Sequence, residues 1–251
     1  MSVRLERDGA TANLVIARAD KRNSMTLAMW EAIPALVSEA EADPQVRALV
    51  IRAAAPGPFC AGADLTEILA HKDDPEWLAQ SQAAINRTQR AVARVALPTL
   101  AFVEGDAIGG GCGLAVACDL RVATASARFA VTPAKLGLIY PLHDVKLLVD
   151  LIGPGQAKRL MYTSGIVDAA EALRIGLVET IAQSPAVFLD AILGVSPYSI
   201  RETKGLVRRV LEGQAEDDQT TWATFADAFK GADFREGVGA FLAKRKAEFK
   251  R

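Results

Sequence analysis

A chain of 251 residues is long enough to bury a substantial core, as one large domain or as one domain with an appendage. Its 51% hydrophobic and 24% charged residues exclude a disordered polymer. A net charge of −1, from 29 basic and 30 acidic residues, offers no global field to nucleic acid or to a membrane surface. Three cysteines (Cys60, Cys112, Cys118) and two histidines (His71, His143) form no ligand spacing, and the odd cysteine count argues against a disulfide framework. The opening residues MSVRLERDG lack the apolar core of a signal peptide, and no apolar run is long enough to span a bilayer. The expectation is a cytoplasmic, metal-free protein.

In chain order, Val3 to Arg7 and Ala12 to Ala17 alternate as a hairpin turning at Asp8-Gly9. The loop ADKRNS (19–24) precedes a helical pattern from Thr26 to Ala42, and RALVIRA (47–53) reads as a buried strand. A Gly/Pro-rich loop, APGPFCAGADLTEI, then enters a helix at Asp64 or Leu65. Pro75 to Ala96 is helical, and Pro98 to Val103 is a second buried strand. Gly113 to Cys118 is small and apolar enough for a helix packed inside the protein. Short strands are expected at Asp119 to Thr124 and Arg128 to Val131, then an irregular stretch TPAKLGLIYPLHD, then helices at Val145 to Ile152 and Asp168 to Ile175. From about Ser184 the pattern turns wholly helical: Pro185 to Leu193, Pro197 to Leu211, Ala215 to Phe229 and Phe234 to Lys246. A mixed α/β core over 1–195 and a helical region over 196–251 follow.

The stretch with the most chemical content is AFVEGDAIGGGCGLAVACD (101–119), a strand that ends in glycines at a buried helix N-terminus. Residues without Cβ let a ligand approach the backbone, and the free N–H groups there favour negative charge. A phosphate or a developing oxyanion would fit. A dinucleotide fingerprint fails on spacing, because Leu114 stands where its third glycine belongs, and no Gly-Lys-Ser/Thr or G-x-S-x-G occurs. The plainer reading of the glycines is close helix packing.

A second glycine turn, Cys60-Ala61-Gly62-Ala63-Asp64, also follows a strand and enters a helix. Together with KRNS (21–24), FCAGADL (59–65), EGDAIGGGCGLAVACDLRVA (104–123), ALRIGLVE (172–179) and REGVGAFLAKRKAEF (235–249), these turns resemble the crotonase, or enoyl-CoA hydratase/isomerase, superfamily across nearly the whole chain. The resemblance implies an α/β fold, a crotonase-like spiral of ββα repeats, with a helical C-terminal region that builds a homotrimer or homohexamer. It implies a coenzyme A thioester as substrate, no permanently bound cofactor, and no nucleic-acid or membrane partner. By the same resemblance the N–H groups of Ala63 and Gly110 clasp the thioester oxygen. Lys21, Met25, Ala61, Gly62 and Leu65 line the coenzyme A path, and Phe225 and Lys244 hold its nucleotide end from the same or a neighbouring subunit.

Two departures matter. Hydratases of the family carry one glutamate in the pattern GGGCE and another in F-x-x-P-E-x-x-x-G. This chain has Gly113 and Pro133 there. Two-glutamate hydration is therefore not expected. TPxxLGxxY resembles the methylmalonyl-CoA decarboxylase branch, whose tyrosine contacts the acyl carboxylate, and Tyr140 matches it. That branch carries a histidine where this chain has Ala63, so half of that grip is missing. Decarboxylation or isomerisation through an enolate leads, C–C cleavage follows, and a non-catalytic acyl-CoA-binding trimer is the alternative from another class. His143 and Asp144 read most simply as surface and helix cap, Lys135 as a snorkelling surface side chain, and Cys60 and Cys112 as packing residues.

Overall fold

The computed structural model describes residues 2–249, so the expected C-terminal unit runs two residues beyond them. β1 (Val3–Asp8) and β2 (Thr11–Ile16) form the expected antiparallel hairpin. β2 then pairs in parallel with β3 (Ala48–Ala53), β3 with β4 (Thr99–Val103), β4 with β6 (Leu120–Ala123) and β6 with β9 (Thr180–Ile181). β3 and β4 are apolar on both faces and almost wholly buried, as parallel strands covered on two sides must be. A smaller sheet, β5 (Asp106–Ile108), β7 (Arg128–Ala130) and β8 (Val167–Asp168), runs beside it. The chain steps from the large sheet to the small one and then into a helix. After β3 comes Cys60, bridged to Ala107, then α2 (Leu65–Ala70) and α3 (Pro75–Arg94). After β4 come β5 and α4 (Gly110–Val116). After β6 come β7 and a 3-10 turn, Pro133–Leu136.

α1 (Leu27–Ala42) is capped by the Thr26 side chain and lays Met29, Trp30, Ile33, Val37 and Ala40 on the core. α4 starts three residues before the expected Gly113. Gly110 and Gly111 are poor helix formers, but a Cβ on Gly111 would stand 2.1 Å from the Cys60 carbonyl oxygen, so only glycine can bring the helix this close to the neighbouring turn. Tertiary contact overrides propensity there. α5 (Leu142–Thr163) is longer than the expected Val145–Ile152 because a second helical stretch continues beyond a kink at Gly153 (φ 73°, ψ 161°). Pro154 supplies the reason, since proline starts helices well and forces its predecessor out of the helical region.

α6 (Ala169–Arg174) is capped by Asp168, and α7 (Ala186–Leu193) covers the outer face of the large sheet with Phe188, Leu189 and Ile192. Then come α8 (Pro197–Leu211), α9 (Gln219–Ala228) and α10 (Ala232–Leu242). Lys204 ties α8 to the core through the Leu97 carbonyl and Asp119, and Arg94 reaches Glu212. Inside the core, fully buried Arg121 is satisfied by Glu179 and by the carbonyls of Leu177 and Cys118.

Candidate active site

Two turns meet where the loop after β2 crosses the chain entering α2. Met25 and Ala63 form a parallel bridge: the Met25 N–H donates to the Gly62 carbonyl (2.8 Å) and the Asp64 N–H to the Met25 carbonyl (2.9 Å). The Ala61 N–H donates to the Arg22 carbonyl, and Asn23 Nδ2 to the Pro58 carbonyl at 2.6 Å. Arg18 donates to Asp64 at 2.6 Å, while Asp64 accepts from the Thr66 and Glu67 N–H groups as the cap of α2. Burial alone would raise the Asp64 carboxyl, but the Arg18 hydrogen bond and the two N–H groups outweigh it, and the net shift is downward. Asp106 is likewise drawn below its ordinary value by Arg128 and Arg22, against an opposing burial effect. The loop and the turn are thus stitched together by charge-assisted bonds.

Gly62 has φ +88°, and a Cβ on it would lie 2.9 Å from the Ile108 carbonyl oxygen and 3.2 Å from the Gly110 nitrogen. A Cβ on Gly110 would lie 3.7 Å from the Ala63 nitrogen and 3.3 Å from the Trp30 ring. The two turns are therefore in backbone contact. Gly62, Gly109 and Gly111 are buried, whereas Ala63 and Gly110 are partly open. Gly110 is the first residue of α4, so its N–H has no partner within the helix. Among the described residues neither its N–H nor that of Ala63 donates to a protein acceptor. Two available N–H groups beside a helix N-terminus, over the floor made by Trp30, can bind a negatively charged oxygen.

Of the other expected residues, Met25 is buried beneath the turn, Lys21 is exposed in the 3-10 turn Ala19–Lys21, and Ala61, Gly62 and Leu65 flank Ala63. Phe225 and Lys244 lie apart in sequence on the C-terminal helices. Phe225 sits edge-on between Trp222 and Phe229, and Lys244 ends α10 with φ 53°. Tyr140 is partly buried and donates its hydroxyl to the Gly109 carbonyl at 2.7 Å. Burial foremost, then Cys112 and Asp144, keeps this phenol well above its ordinary range, so it is a neutral donor.

Gly113 lies one turn into α4 from Gly110. A Cβ there would stand 2.5 Å from Gln89 Nε2 and 3.1 Å from the Tyr140 hydroxyl. Gln89 of α3 is fully buried, and neither of its carboxamide atoms has a hydrogen bond of good geometry; it lies beside Asp144 close enough to pull the acid's pKa down. That approach is electrostatic proximity, not a completed hydrogen bond. Asp144 corrects its expected role: it is only 3% exposed, it does not cap α5, and its Oδ1 is unpartnered. Burial raises its pKa to about 6. Trp30 Nε1 is also buried without a partner. His143 turns instead onto a cavity of about 670 Å³ between α3, α5 and α8, with Arg94 and Lys146. Lys135 is exposed, as expected. Buried Cys60, Cys112 and Cys118 have thiols pushed up to about 12 by desolvation, consistent with packing roles.

Sequence reasoning missed Gln89 and Trp30. A signal existed for the first: Ser81, Ala84, Thr88, Gln89 and Val92 make the buried stripe of α3, and an amide on such a stripe is out of place without a task.

The model of the enoyl-CoA hydratase/isomerase family matches residues 6–251. This chain belongs to that family. As a member of this family of acyl-CoA enzymes it is 33% identical to the crotonyl-CoA hydratase of Syntrophomonas wolfei, over 98% of this chain and 96% of the relative. It is 30% identical to human mitochondrial methylglutaconyl-CoA hydratase, over 94% of this chain and 73% of the relative. The crystal structure of an enoyl-CoA hydratase/isomerase family protein from Hyphomonas neptunium superposes with a TM-score of 0.95 at 35% identity, covering 100% of this chain and 98% of the other. The mixed α/β architecture expected from the resemblance is that of the family's solved members. No described helix is long and apolar enough to cross a membrane, and no described cluster of His, Cys, Asp and Glu could hold a metal ion.

Proposed function

We propose that this hydratase/isomerase family member transforms an acyl-CoA through a thioester enolate, by isomerisation or decarboxylation, with the Ala63 and Gly110 N–H groups holding the enolate oxygen. The observation that carries this reading is the pair of unpaired N–H groups on two abutting turns, one at the head of α4. Donors aimed at a developing oxyanion in a water-poor site are worth about 3–4 kcal/mol each to the transition state. Lys21, Met25, Ala61, Gly62 and Leu65 border the same turn and are assigned to the coenzyme A path. Phe225 and Lys244 are assigned to its nucleotide end, within a trimer or hexamer working in the cytoplasm.

Simple hydration is disfavoured because Gly113 and Pro133 occupy the places read as those of the hydratase glutamates, and Pro133 merely opens a 3-10 turn. Crotonyl-CoA hydration is expected barely above background, and a kcat on the order of 10 per second would overturn that part of the reading. Gly110→Pro deletes one N–H at a helix position where proline is tolerated, and should abolish every enolate reaction in a screen of 3-enoyl and malonyl-type thioesters. If no thioester turns over in the wild type while acyl-CoA still binds, the chain is instead a non-catalytic acyl-CoA-binding trimer.

A further inference from the structure

We propose that Asp144 is the catalytic proton carrier of this site, taking a proton from the carbon beside the thioester carbonyl and returning it, with Gln89 as its positioning residue. This rests on the enolate reading above. Asp144, Gln89 and Trp30 are each at least nine-tenths buried, and each keeps a polar atom that the chain leaves unpartnered. Folded proteins rarely leave one such group without a use, and here three surround the head of α4. The Trp30 ring lies 3.3 Å from a Cβ built on Gly110, and Gln89 Nε2 lies 2.5 Å from one built on Gly113. The Tyr140 hydroxyl is 3.1 Å from that second point and bonds the carbonyl just before the Gly110 N–H. The room that a glutamate on α4 would occupy is thus held by Gln89 and Tyr140, and a carboxyl is delivered beside them from α5.

The groups facing Asp144 do not compete for its proton near neutral pH. Tyr140 and Cys112 of α4 are both neutral there. His143, its neighbour on α5, is held below its ordinary value by burial and by Arg90 and Arg94 of α3 with Lys146 of α5. Since its pKa is near 6, Asp144 can serve in either form. In the forward step the carboxylate removes the α-proton, and the C–H electron pair becomes the C=C bond of the enolate. The thioester C=O pair moves onto oxygen, beside the Ala63 and Gly110 N–H groups. Returning the proton to this carbon, or to the γ-carbon of an enoyl chain, restores the neutral thioester, so a double-bond shift needs no other acid or base.

The test is hydrogen–deuterium exchange at the α-carbon of butyryl-CoA in D2O, followed by NMR. Wild-type exchange should rise with pH through about 6 and then level. Asp144→Asn should slow it by about 100-fold or more and erase that rise, with butyryl-CoA affinity unchanged. Gln89→Met removes the group that lowers the Asp144 pKa and should move the rise to higher pH, a shift that loss of packing alone would not cause; it also decides the matter should Asp144→Asn fail to fold. Wild-type rates in Asp144→Asn, or an unmoved rise in Gln89→Met, overturn the proposal while exchange abolished by Gly110→Pro leaves the enolate reading standing. Exchange that is absent in the wild type, or indifferent to Gly110→Pro, overturns both.

Discussion

Asp144 and Tyr140 show how much a single side chain depends on what surrounds it. The Asp144 carboxyl rises from an ordinary 3.8 to about 6 on burial. Between those values the folded chain holds a proton that the unfolded chain has released, so stability falls as pH climbs through this window, by up to about 3 kcal/mol. Asparagine carries no such proton. Asp144→Asn should therefore gain on the wild type as pH goes from 4 to 8, and thermal melts that stay parallel across that range would refute it. Tyr140→Phe removes one hydroxyl, but the Gly109 carbonyl keeps its bond from the Gly113 N–H, so the loss of stability should be about 1 kcal/mol. Turnover of the true substrate should drop by roughly 10²–10⁴ if the hydroxyl orients a carboxylate or relays a proton. Unimpaired turnover with Gly110→Pro inactive would keep the mechanism and dismiss the tyrosine.

Among the elements, α4 is the one placed by its glycines, and they are not equivalent. A Cβ on Gly111 meets the Cys60 carbonyl at 2.1 Å. That carbonyl cannot move aside, because Cys60 is held on both sides by backbone bonds to Asp106 and Ile108 of β5. A Cβ on Gly113 meets instead the end of the Gln89 side chain, which can swing away. Gly111→Ala should cost about 3 kcal/mol or more, or prevent folding, whereas Gly113→Ala should fold with a smaller loss. Chemical denaturation of the two variants ranks them, and the opposite order would show that α4 is not held by this contact.

At the scale of the whole molecule, the C-terminal helices leave a large apolar surface uncovered. Trp222, Phe225, Phe229, Phe241 and Leu242 are all more than half exposed, as are Val207 and Val210 on α8. A surface of this extent marks an interface. Light scattering should therefore give a mass three or six times the 26.7 kDa of the chain, and a soluble monomer would count against the assigned role of α8–α10. Deleting 196–251 should leave insoluble protein or protein blind to acyl-CoA, because Lys204 and Glu212 no longer tie down Asp119 and Arg94.

The sequence by itself determined the elements and the two glycine turns. Periodicity marked β3, β4, α1 and α3 because burial on one or two faces writes a local pattern, and the turns were readable because only glycine suits their backbone. The short strand β5 was not legible, since three residues carry no period and its pairing with β7 is remote in the chain. The continuation of α5 past Gly153 was missed for a related reason, a glycine-proline pair that reads as an end and serves as a kink. Which polar side chains converge was decided only by the tertiary structure. Gln89 on α3 and Asp144 on α5 are 55 residues apart, and each looks locally ordinary, the second like a helix cap. Packing of α3, α4 and α5 around Gly113 removes both from water without giving either a full partner, and that desolvation, which no local pattern encodes, sets the character of the site.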